Sequence, residues 1–374
     1  MVNLVVFFGG ESCEHDVSII TGLQFISKVN EYLYNVIPIF IDKNGDWLTG
    51  KNLKDLDNYP DNLGRTIKVG ILDNDKSLYK IGKSHKAKKI CDIDVAVLCL
   101  HGAGGEDGVI SASLESSKIP YINSSIMPSA VCMDKIVFDY IVAGMGIAKV
   151  DFLAVTKFEY DEDKSAVLDL IKNFGFPIII KPARLGSSIG INVCKNYDDL
   201  ERLLENSFEF DCRLLIERYV NVKKEVNIAC FLNKNDIVLS KTEEPISKQE
   251  ILDFGQKYVA NTGMENMKRI MPANISKEQY ENIVDIVCRM YSTLNMFGVV
   301  RFDFLIDQND KLYINEVNTI PGSMAYYLFE DTYSYPELID MWLTNALIRN
   351  TNSQMKVKDY RSSILKQGLS GFKK

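Results

Sequence analysis

Short apolar segments alternate with amphipathic ones through the first third of the chain. Residues 2–8, 35–42 and 94–102 are almost entirely apolar, which is typical of buried strands in a parallel sheet. Between the first two, apolar residues recur every three or four positions, as in a helix. The pattern predicts a βαβ unit over residues 2–42 and an open α/β sheet over residues 1–124.

The rest of the chain has a different pattern. A helical segment and short strands around a second helix predict a small α+β unit over residues 125–215. Longer apolar strands and one long helix predict another α+β unit over residues 216–350. Within it, residues 244–275 are polar and without a period, and an unpatterned loop of this length is usually functional or disordered. Residues 351–374 read as a polar, basic tail.

Composition narrows the class of protein. Apolar residues make up 46% of the chain and charged residues 25%, as in an ordinary folded protein. The net charge of −7 gives no basic field for nucleic acid, and no apolar run reaches the length of a membrane helix. Eight cysteines without a CxxC motif or Cys/His cluster predict reduced, mostly buried thiols of a cytoplasmic protein.

An acidic hairpin near the end of the chain carries the strongest chemical signal. Asp303 lies in the apolar run VVRFDFLI, and Glu316 and Asn318 lie in KLYINEVN, with a turn at 309–310 between them. Side chains two apart on a strand share a face, so these oxygens converge. Two carboxylates and an amide oxygen suit Mg²⁺ and the phosphates it carries. Taken alone, a hairpin with solvated acids is an equally good interpretation.

A second signal is the segment KPARLGSSIG, residues 181–190. Lys181 ends a predicted strand, and the glycines and serines that follow let backbone N–H groups and hydroxyls approach phosphate oxygens. It is not a Walker loop, because GK[ST] is absent, and a plain hairpin is an alternative. Together with the acidic hairpin, this segment supplies both halves of a site for a magnesium–nucleotide complex.

Three further strand ends carry polar side chains. Glu14 follows the first strand, where open α/β sheets bind ligands; it either binds a substrate ammonium or only complements a helix dipole. His101 begins the four-glycine loop HGAGGEDG and lies either in the core or in a cleft. The spacing of Glu217 and Glu225 suits an adenine contact and a ribose contact, but ordinary surface acids fit it as well.

These motifs together resemble one family. GGESCEHDVS, HGAGGEDG, SSIMPSAVCMDK, KPARLGSSIG, the pair at 257–258 and RFDF…NEVNTIPG follow the order found in D-alanine–D-alanine ligases of the ATP-grasp superfamily. The resemblance runs from about residue 2 to about residue 348. It implies an α/β, three-domain ATP-grasp fold, with an N-terminal open parallel sheet and two α+β domains that clasp the nucleotide.

The resemblance also implies roles for individual residues on the ATP side. The implied cofactors are ATP and two Mg²⁺ ions, with Mn²⁺ as an alternative metal. The residues implied to contact ATP are Lys135, Lys181, Ser188 and Lys257 at the phosphates, Glu217 at the adenine and Glu225 at the ribose. The implied metal ligands are Asp303, Glu316 and Asn318.

On the amino-acid side, the resemblance implies that Glu14 holds the ammonium of the first D-alanine. Ser187 and Tyr258 resemble its partners in a hydrogen-bonded triad that ties down a lid over the site. His101 matches a residue near the first D-alanine. Arg301 and the N–H of Gly322 resemble the groups that steady the oxyanion and the acceptor carboxylate.

The chain departs from the family in one place. Tyr327-Leu328 stands where the family usually has a serine–leucine pair near the acceptor carboxylate. A phenol still donates a hydrogen bond but fills more space, so the departure concerns the acceptor and leaves the ATP chemistry untouched. Tyr258 resembles the dipeptide-forming members, since members that make a D-lactate ester carry His there as a rule, and an amine acceptor is therefore favoured.

The resemblance thus implies ATP-dependent ligation of two D-alanines through an acyl phosphate, for peptidoglycan precursor synthesis by a cytoplasmic homodimer. The partners are small amino acids, with no nucleic acid and no membrane. One alternative is another acceptor, such as D-serine or another amino or hydroxy acid. A non-catalytic nucleotide-binding homologue is a second, although the intact acids and lysines argue against it. A dehydrogenase is disfavoured, because no GxGxxG follows the first strand.

Overall fold

Three separate β-sheets organise the protein. The computed structural model describes residues 1–60, 62–82, 86–246 and 268–354. The strands are β1 (Val2–Gly9), β2 (Tyr34–Ile41), β3 (Trp47–Thr49), β4 (Ile67–Ile71), β5 (Ser77–Ile81), β6 (Ala87–Asp92), β7 (Val95–Leu98), β8 (Phe152–Thr156), β9 (Ile178–Pro182), β10 (Asn192–Cys194), β11 (Arg213–Arg218), β12 (Val222–Asn233), β13 (Asp236–Pro245), β14 (Arg269–Ile270), β15 (Val300–Asp307) and β16 (Leu312–Asn318). The α-helices are α1 (His15–Lys28), α2 (Val109–Ser116), α3 (Ile126–Met133), α4 (Lys135–Gly144), α5 (Lys157–Glu162), α6 (Lys164–Phe174), α7 (Leu200–Phe208), α8 (Lys277–Thr293) and α9 (Tyr335–Gln354).

The first sheet has the order β6-β5-β4-β3-β2-β1-β7. The almost entirely apolar strand β1 lies between β2 and β7 and pairs with both in parallel, as its pattern predicts. The other four strands add an antiparallel extension that the pattern did not predict. These strands are short and partly exposed, and β6 is mostly exposed along its length, so no buried face imposes an alternation of apolar and polar residues.

The turn after β1 delivers Glu14 to the carboxyl end of the first sheet. Gly9 and Gly10 have φ of 89° and 105°, a left-handed region that glycine enters at little cost. A Cβ at Gly9 would lie only 2.3 Å from the carbonyl oxygen of Ile41. Helix α1 then begins at His15, so the chain reverses within a few residues and leaves Glu14 at the helix start.

The second sheet has the order β10-β9-β11-β8, with antiparallel pairing throughout. The helical segment predicted just before it is two helices rather than one. They break at Asp134, whose ψ of 100° is not helical and whose carboxylate accepts a hydrogen bond from Val137 N at 3.1 Å. This cap starts α4 at Lys135 and fixes where that lysine lies.

The third sheet has the order β14-β13-β12-β15-β16 and packs against α8. The last helix, α9, packs against β7 of the first sheet and β12 of the third, and its Trp342 and Tyr335 join the buried core that contains Phe25. The two ends of the described chain therefore share one hydrophobic core. Helix α9 runs into the segment predicted as a tail, reaching residue 354.

The eight cysteines are free thiols, as predicted, but the expectation that most are buried is wrong. Cys99, Cys194 and Cys230 are buried, three others are half-buried, and Cys13 and Cys212 are exposed. Cys13 lies in a loop, and Cys212 lies directly before β11. Apolar neighbours in the sequence do not indicate at such positions that a side chain is buried. Among the described helices, none combines the length and the apolar character that crossing a membrane requires.

Candidate active site

A cavity of about 240 Å³ lies where the three sheets meet. Each sheet or its flanking loops contributes polar side chains to the wall, although these segments are far apart in sequence. The predicted site residues that line it are Glu14, His101, Lys135, Lys181, Ser187, Ser188, Glu225, Arg301, Asp303, Glu316, Asn318, Gly322 and Tyr327. The structure therefore brings together most of the side chains singled out from the sequence.

Two of the predicted residues that the structure describes do not line the cavity, and two others lie outside the described residues. Leu328 is fully buried in the core that the first sheet shares with α9. Glu217 is buried behind the wall, where its carboxylate forms ion pairs with Lys181 and Lys149. Lys257 and Tyr258 lie outside the described residues, so their assignments stay predictions.

The acidic hairpin has the geometry that its sequence predicts. Asp303 on β15 lies directly opposite Glu316 on β16, and Arg301 lies opposite Asn318. Residues opposite each other or two apart on paired strands point to one face, so all four side chains face the cavity together. The Arg301 guanidinium donates to both oxygens of Asp303 at 2.7 Å, and Asn318 Nδ2 donates to Asp303 Oδ2 at 3.0 Å.

The donor set of this hairpin fits a hard divalent cation. Asp303 and Glu316 supply carboxylate oxygens, and Asn318, which donates through Nδ2, keeps its Oδ1 as an acceptor. In the described ranges no three His, Cys, Asp or Glu side chains form a metal-binding cluster, so the candidate site depends on that amide oxygen. Oxygen-only ligands are those of Mg²⁺ or Mn²⁺ rather than of zinc.

Two lysines face the cavity from the second sheet and its neighbouring helix. Lys181 lies on β9, and Lys135 begins α4. The backbone N–H of Lys135 donates to the Ala183 carbonyl at 2.9 Å, and its Nζ donates to the Leu185 carbonyl, which ties the helix start to the turn after β9. Burial lowers the pKa of Lys135, because it disfavours the charged ammonium. An anion bound next to Lys135 would stabilise that charge.

The turn after Lys181 is strained. Ser187 and Ser188 have φ of 52° and 61°, which non-glycine residues adopt only when the surroundings impose it. Ser187 Oγ donates a hydrogen bond to Glu14 Oε1, so this turn is fastened to the first sheet. Strained backbone of this kind clusters at ligand sites, and here both serines line the cavity.

Glu14 fits between two glycines. A Cβ at Gly186 would lie 2.7 Å from Glu14 Oε2, and a Cβ at Gly102 would lie 3.1 Å from the same oxygen. A side chain at Gly186 would displace the carboxylate from this position, and one at Gly102 would crowd it. Glu14 is almost fully buried, and a buried carboxylate facing a cavity is suited to a cationic ligand group.

Glu106 is a cavity residue that sequence reasoning missed. It lies in the glycine-rich loop after His101 and accepts a hydrogen bond from Gly102 N at 2.9 Å. Burial, reinforced by the nearby Glu14, raises the pKa of Glu106 to about 8, so it carries a proton at neutral pH. The acid in HGAGGEDG was the available signal, but nothing in the spacing distinguished it from a loop carboxylate.

One end of the cavity is lined by residues of the 3-10 turn Gly322–Leu328, which the sequence resemblance predicts to contact the acceptor and which is hereafter called the acceptor turn. Ser323, Met324 and Ala325 are all buried and left-handed, with φ of 52°, 52° and 48°. Each such non-glycine residue costs about 1–2 kcal/mol, so surrounding contacts must hold the turn. Helix α1 supplies two of them: Thr21 Oγ1 accepts from Ser323 N at 3.2 Å, and Gln24 Oε1 accepts from Ser323 Oγ at 2.6 Å.

His101, at the carboxyl end of the first sheet, also contacts Thr21, the residue of α1 that holds this turn. Its Nε2 lies 2.9 Å from Thr21 Oγ1, and its backbone N–H donates to Ser18 Oγ at 2.9 Å. Burial, with the nearby Arg301, lowers the pKa of His101 to about 4, so the ring is neutral. It therefore fastens the helix to the acceptor turn without adding a charge to the cavity.

Tyr327 is held at this end by charged neighbours. Its hydroxyl donates to Glu243 Oε2 at 3.3 Å, and the Arg269 guanidinium lies 4.4 Å from the centre of its ring. Glu243 and Arg269 form an ion pair of 3.2 Å, so the three side chains constrain one another. The phenol is buried, which raises its pKa, and it remains a hydrogen-bond donor at physiological pH.

Family models match the two parts of the chain that build this site. The model described as D-ala D-ala ligase N-terminus matches residues 3–124, and the one described as D-ala D-ala ligase C-terminus matches residues 141–343. Together these matches cover well over half of the chain.

Individual proteins are similar over almost their whole length. The D-alanine–D-alanine ligase of Thermosipho melanesiensis is 35% identical, with 98% of this chain and 99% of the relative covered. That of Thermosipho africanus is 37% identical, with 96% of each covered. The crystal structure of the D-alanine–D-alanine ligase from Helicobacter pylori has a TM-score of 0.74 and 28% identity, with 92% of this chain and 98% of that chain covered. The predicted three-domain ATP-grasp fold is thereby confirmed, and the chain belongs to the D-alanine–D-alanine ligase family.

Proposed function

We propose that the protein uses ATP to join two D-alanine molecules, producing the dipeptide needed for peptidoglycan precursors. The named relatives support this reaction over nearly the full length of the chain. The observation that carries it is the cavity itself. There Asp303 and Glu316 from one sheet and Lys181 from another share a wall with Glu14 from the first.

The first step activates the donor. Glu14, held by Ser187, binds the donor ammonium, and the donor carboxylate attacks the γ-phosphorus of ATP. The bond between that phosphorus and the β,γ-bridging oxygen breaks, which gives an acyl phosphate and ADP. Lys135 and Lys181 neutralise charge on the phosphate oxygens, the main demand of phosphoryl transfer.

The second step forms the peptide bond. The acceptor amine attacks the acyl carbon, and inorganic phosphate leaves. Negative charge develops on the carbonyl oxygen, and Arg301 and the Gly322 N–H at the cavity wall are assigned to stabilise it. The pair with Asp303 uses two of the five guanidinium N–H groups of Arg301 and fixes the orientation of the others.

Metal binding is assigned to Asp303, Glu316 and Asn318, with two Mg²⁺ ions, or Mn²⁺ as an alternative. When bound, the metal supplies positive charge for the triphosphate and orients it. The described residues present the ligands from a rigid hairpin, which supports this assignment because strand positions vary little.

The remaining nucleotide and lid residues are assigned by resemblance. Glu225 and Ser188 line the cavity and are assigned to the ribose and the phosphates. Lys257 is assigned to the γ-phosphate, and Tyr258 to the triad with Glu14 and Ser187 that closes the lid. A closed lid would protect the acyl phosphate from water.

A different acceptor is a second candidate function, and Tyr327 is the observation that favours it. Its ring occupies the wall where the family usually has serine, and Arg269 and Glu243 hold it there. A fixed phenol presents a different shape and a different hydrogen-bonding group from serine, so the contact to the acceptor changes, and D-serine or another amino or hydroxy acid is the alternative acceptor. Tyr258 favours an amine over a hydroxyl acceptor.

The assembly and cellular setting are proposed as those of a cytoplasmic homodimer. The proposed domains are residues 1–124 for the amino acids, 125–215 and 216–350 for ATP and metal, and 351–374 as a tail. The proposed substrates are small molecules, with neither nucleic acid nor membrane as a partner. Sedimentation of the purified protein measures the oligomeric state directly.

One assay tests the proposed reaction. The protein is incubated with ATP, Mg²⁺ and a panel of D- and L-amino acids, phosphate release is followed, and products are identified by mass. We expect phosphate release that depends on D-alanine and a D-alanyl-D-alanine product. A mixed product with D-serine would support the second candidate, and nucleotide binding without turnover for any acid would contradict both.

A further inference from the structure

A buried network of charges lies behind the cavity wall, and its centre is Lys149. This lysine lies between α4 and β8, and its Nζ is 3.1 Å from Asp139 Oδ1 on α4 and 3.1 Å from Glu217 Oε1 on β11. The three side chains are 5%, 1% and 4% exposed. None of them lines the cavity, and the reaction described above uses none of them directly.

The charges in this network depend on one another. Burial alone would lower the pKa of Lys149, but Glu217 and Asp139 raise it above its ordinary value. Burial alone would raise the pKa of Glu217, but Lys149 and Lys181 lower it to about 2. Lys149 and Glu217 are therefore both ionised at neutral pH, and isolated buried charges of this kind would be costly.

Glu217 connects Lys149 to the phosphate site. One of its oxygens, Oε1, pairs with Lys149, and the other, Oε2, pairs with Lys181. Lys181 faces the cavity, while Glu217 does not. The position of the Lys181 ammonium is thus set from behind by Glu217, whose own position is set by Lys149.

Lys149 also reaches the strand that carries the candidate metal ligands. Its Nζ donates a hydrogen bond to the Asn315 carbonyl at 3.0 Å. The pairing of β15 with β16 shifts between Asp303–Glu316 and Phe304–Ile314, so Asn315 is the extra residue of a β-bulge. A bulged residue leaves the regular ladder, and here its carbonyl is turned to Lys149, next to Glu316.

We propose that Lys149 is a positioning residue that fixes Lys181 on the second sheet at a set distance from Glu316 on the third, so that ATP with its metal fits between them. The inference rests on the proposed function only in taking Lys181 and Glu316 as contacts of the magnesium–ATP complex. The sequence resemblance assigned Glu217 to the adenine. The proposal gives Glu217 a further role, which is to hold the phosphate-binding Lys181 in place.

The test compares magnesium–ATP binding in four forms of the full chain. They are the wild type, Lys149→Met, the charge-balanced double variant Asp139→Asn/Lys149→Met, and the control Lys157→Met. The control removes Lys157, the first residue of α5 directly after the edge strand β8, where it forms an exposed ion pair with Asp161. The dissociation constant is measured by calorimetry without amino acids, and the Michaelis constants for ATP and D-alanine are measured separately.

We expect Lys149→Met and the double variant to weaken ATP binding by about tenfold or more, the loss typical of one charged hydrogen-bonded group. The Michaelis constant for D-alanine should change by less than about twofold. In the control, the dissociation constant for ATP and the Michaelis constant for D-alanine should also change by less than about twofold. The double variant removes one positive and one negative charge, so the remaining Lys181–Glu217 pair is neutral overall. We therefore expect the double variant to fold.

Three outcomes separate the possibilities. Wild-type ATP affinity in the double variant would overturn the proposal, because the effect of the single change would then be one of uncompensated charge. Equal losses for ATP and D-alanine would also overturn it, since they would indicate a general structural role. A wild type that fails to bind magnesium–ATP would remove the proposed function itself, and the positioning role with it.

Discussion

The two ends of the cavity are built differently. At the end proposed to bind the nucleotide, Asp303, Glu316 and Lys181 lie on strands, and ion pairs and strand register set their positions. At the end proposed to bind the amino acids, Glu14 lies in a loop and Tyr327 follows three left-handed residues in a turn that donates hydrogen bonds to helix α1. On a strand, the alternation of side chains and the pairing register determine where a site residue points. In a loop, individual contacts determine it, and such contacts can differ between members of a family.

The most severe test of the nucleotide end is Glu316→Ala. If the proposed metal assignment holds, this change takes away several kcal/mol of transition-state stabilisation, so we expect kcat to fall by about 10³-fold. Steady-state kinetics at saturating ATP and Mg²⁺ measure the loss. Glu281→Ala, an exposed acid on α8, is the control and should retain wild-type activity. Near-normal turnover in Glu316→Ala would remove the metal assignment.

At the amino-acid end, Gly186→Ala should displace Glu14. The added Cβ would lie 2.7 Å from Glu14 Oε2, and because that atom ends a flexible side chain, the carboxylate moves while the backbone stays. Losing the contact to the donor ammonium should raise the Michaelis constant for the donor by about 30-fold. Gly144→Ala is the matched control, since a Cβ there meets nothing within 4 Å. Equal effects of the two changes would exclude Glu14 as the donor contact.

The acceptor turn is probed by Tyr327→Ser. The change removes a ring held by Arg269 and opens space beside Arg301, so the acceptor Michaelis constant should change by about tenfold. The Michaelis constant for ATP should stay within about twofold, because the nucleotide end does not depend on this turn. A larger effect on ATP than on the acceptor would place Tyr327 at the other end of the cavity.

The smallest effect concerns pH and Glu106. Its pKa is about 8 when folded and about 4.5 as an ordinary carboxyl, so the folded state binds the proton more tightly. Its contribution to stability is complete below about pH 4.5 and is lost as the pH rises through about 8. Between pH 6.5 and 7.5, the wild type should lose about 1 kcal/mol of unfolding free energy relative to Glu106→Gln. Urea unfolding at both pH values measures it, and parallel pH profiles would contradict the assignment.

Continuous apolar runs and sequence periodicity predicted those parts of the fold in which burial constrains the residues. The parallel strands around β1 and the hairpin carrying Asp303 and Glu316 belong to this group, because burial imposes a visible pattern. Asp134, which ends one helix and caps the next, was missed because an apolar pattern continues across it.

The sequence predicted most residues of the candidate site, but not those that act through contacts made only on folding. Motif order located the cavity residues, but Lys149 carries no motif and acts only through contacts that folding creates. Glu106 was missed for a related reason, since its raised pKa arises from burial next to Glu14. Groups that work through neighbours distant in sequence leave no local spacing to detect.

The central claim is that the donor carboxylate attacks ATP to form an acyl phosphate. It is tested most directly with D-alanine labelled with ¹⁸O in its carboxylate, ATP and Mg²⁺, followed by mass analysis of the released phosphate. The account predicts one ¹⁸O atom in the inorganic phosphate for each peptide bond formed. Unlabelled phosphate accompanying dipeptide formation would contradict it.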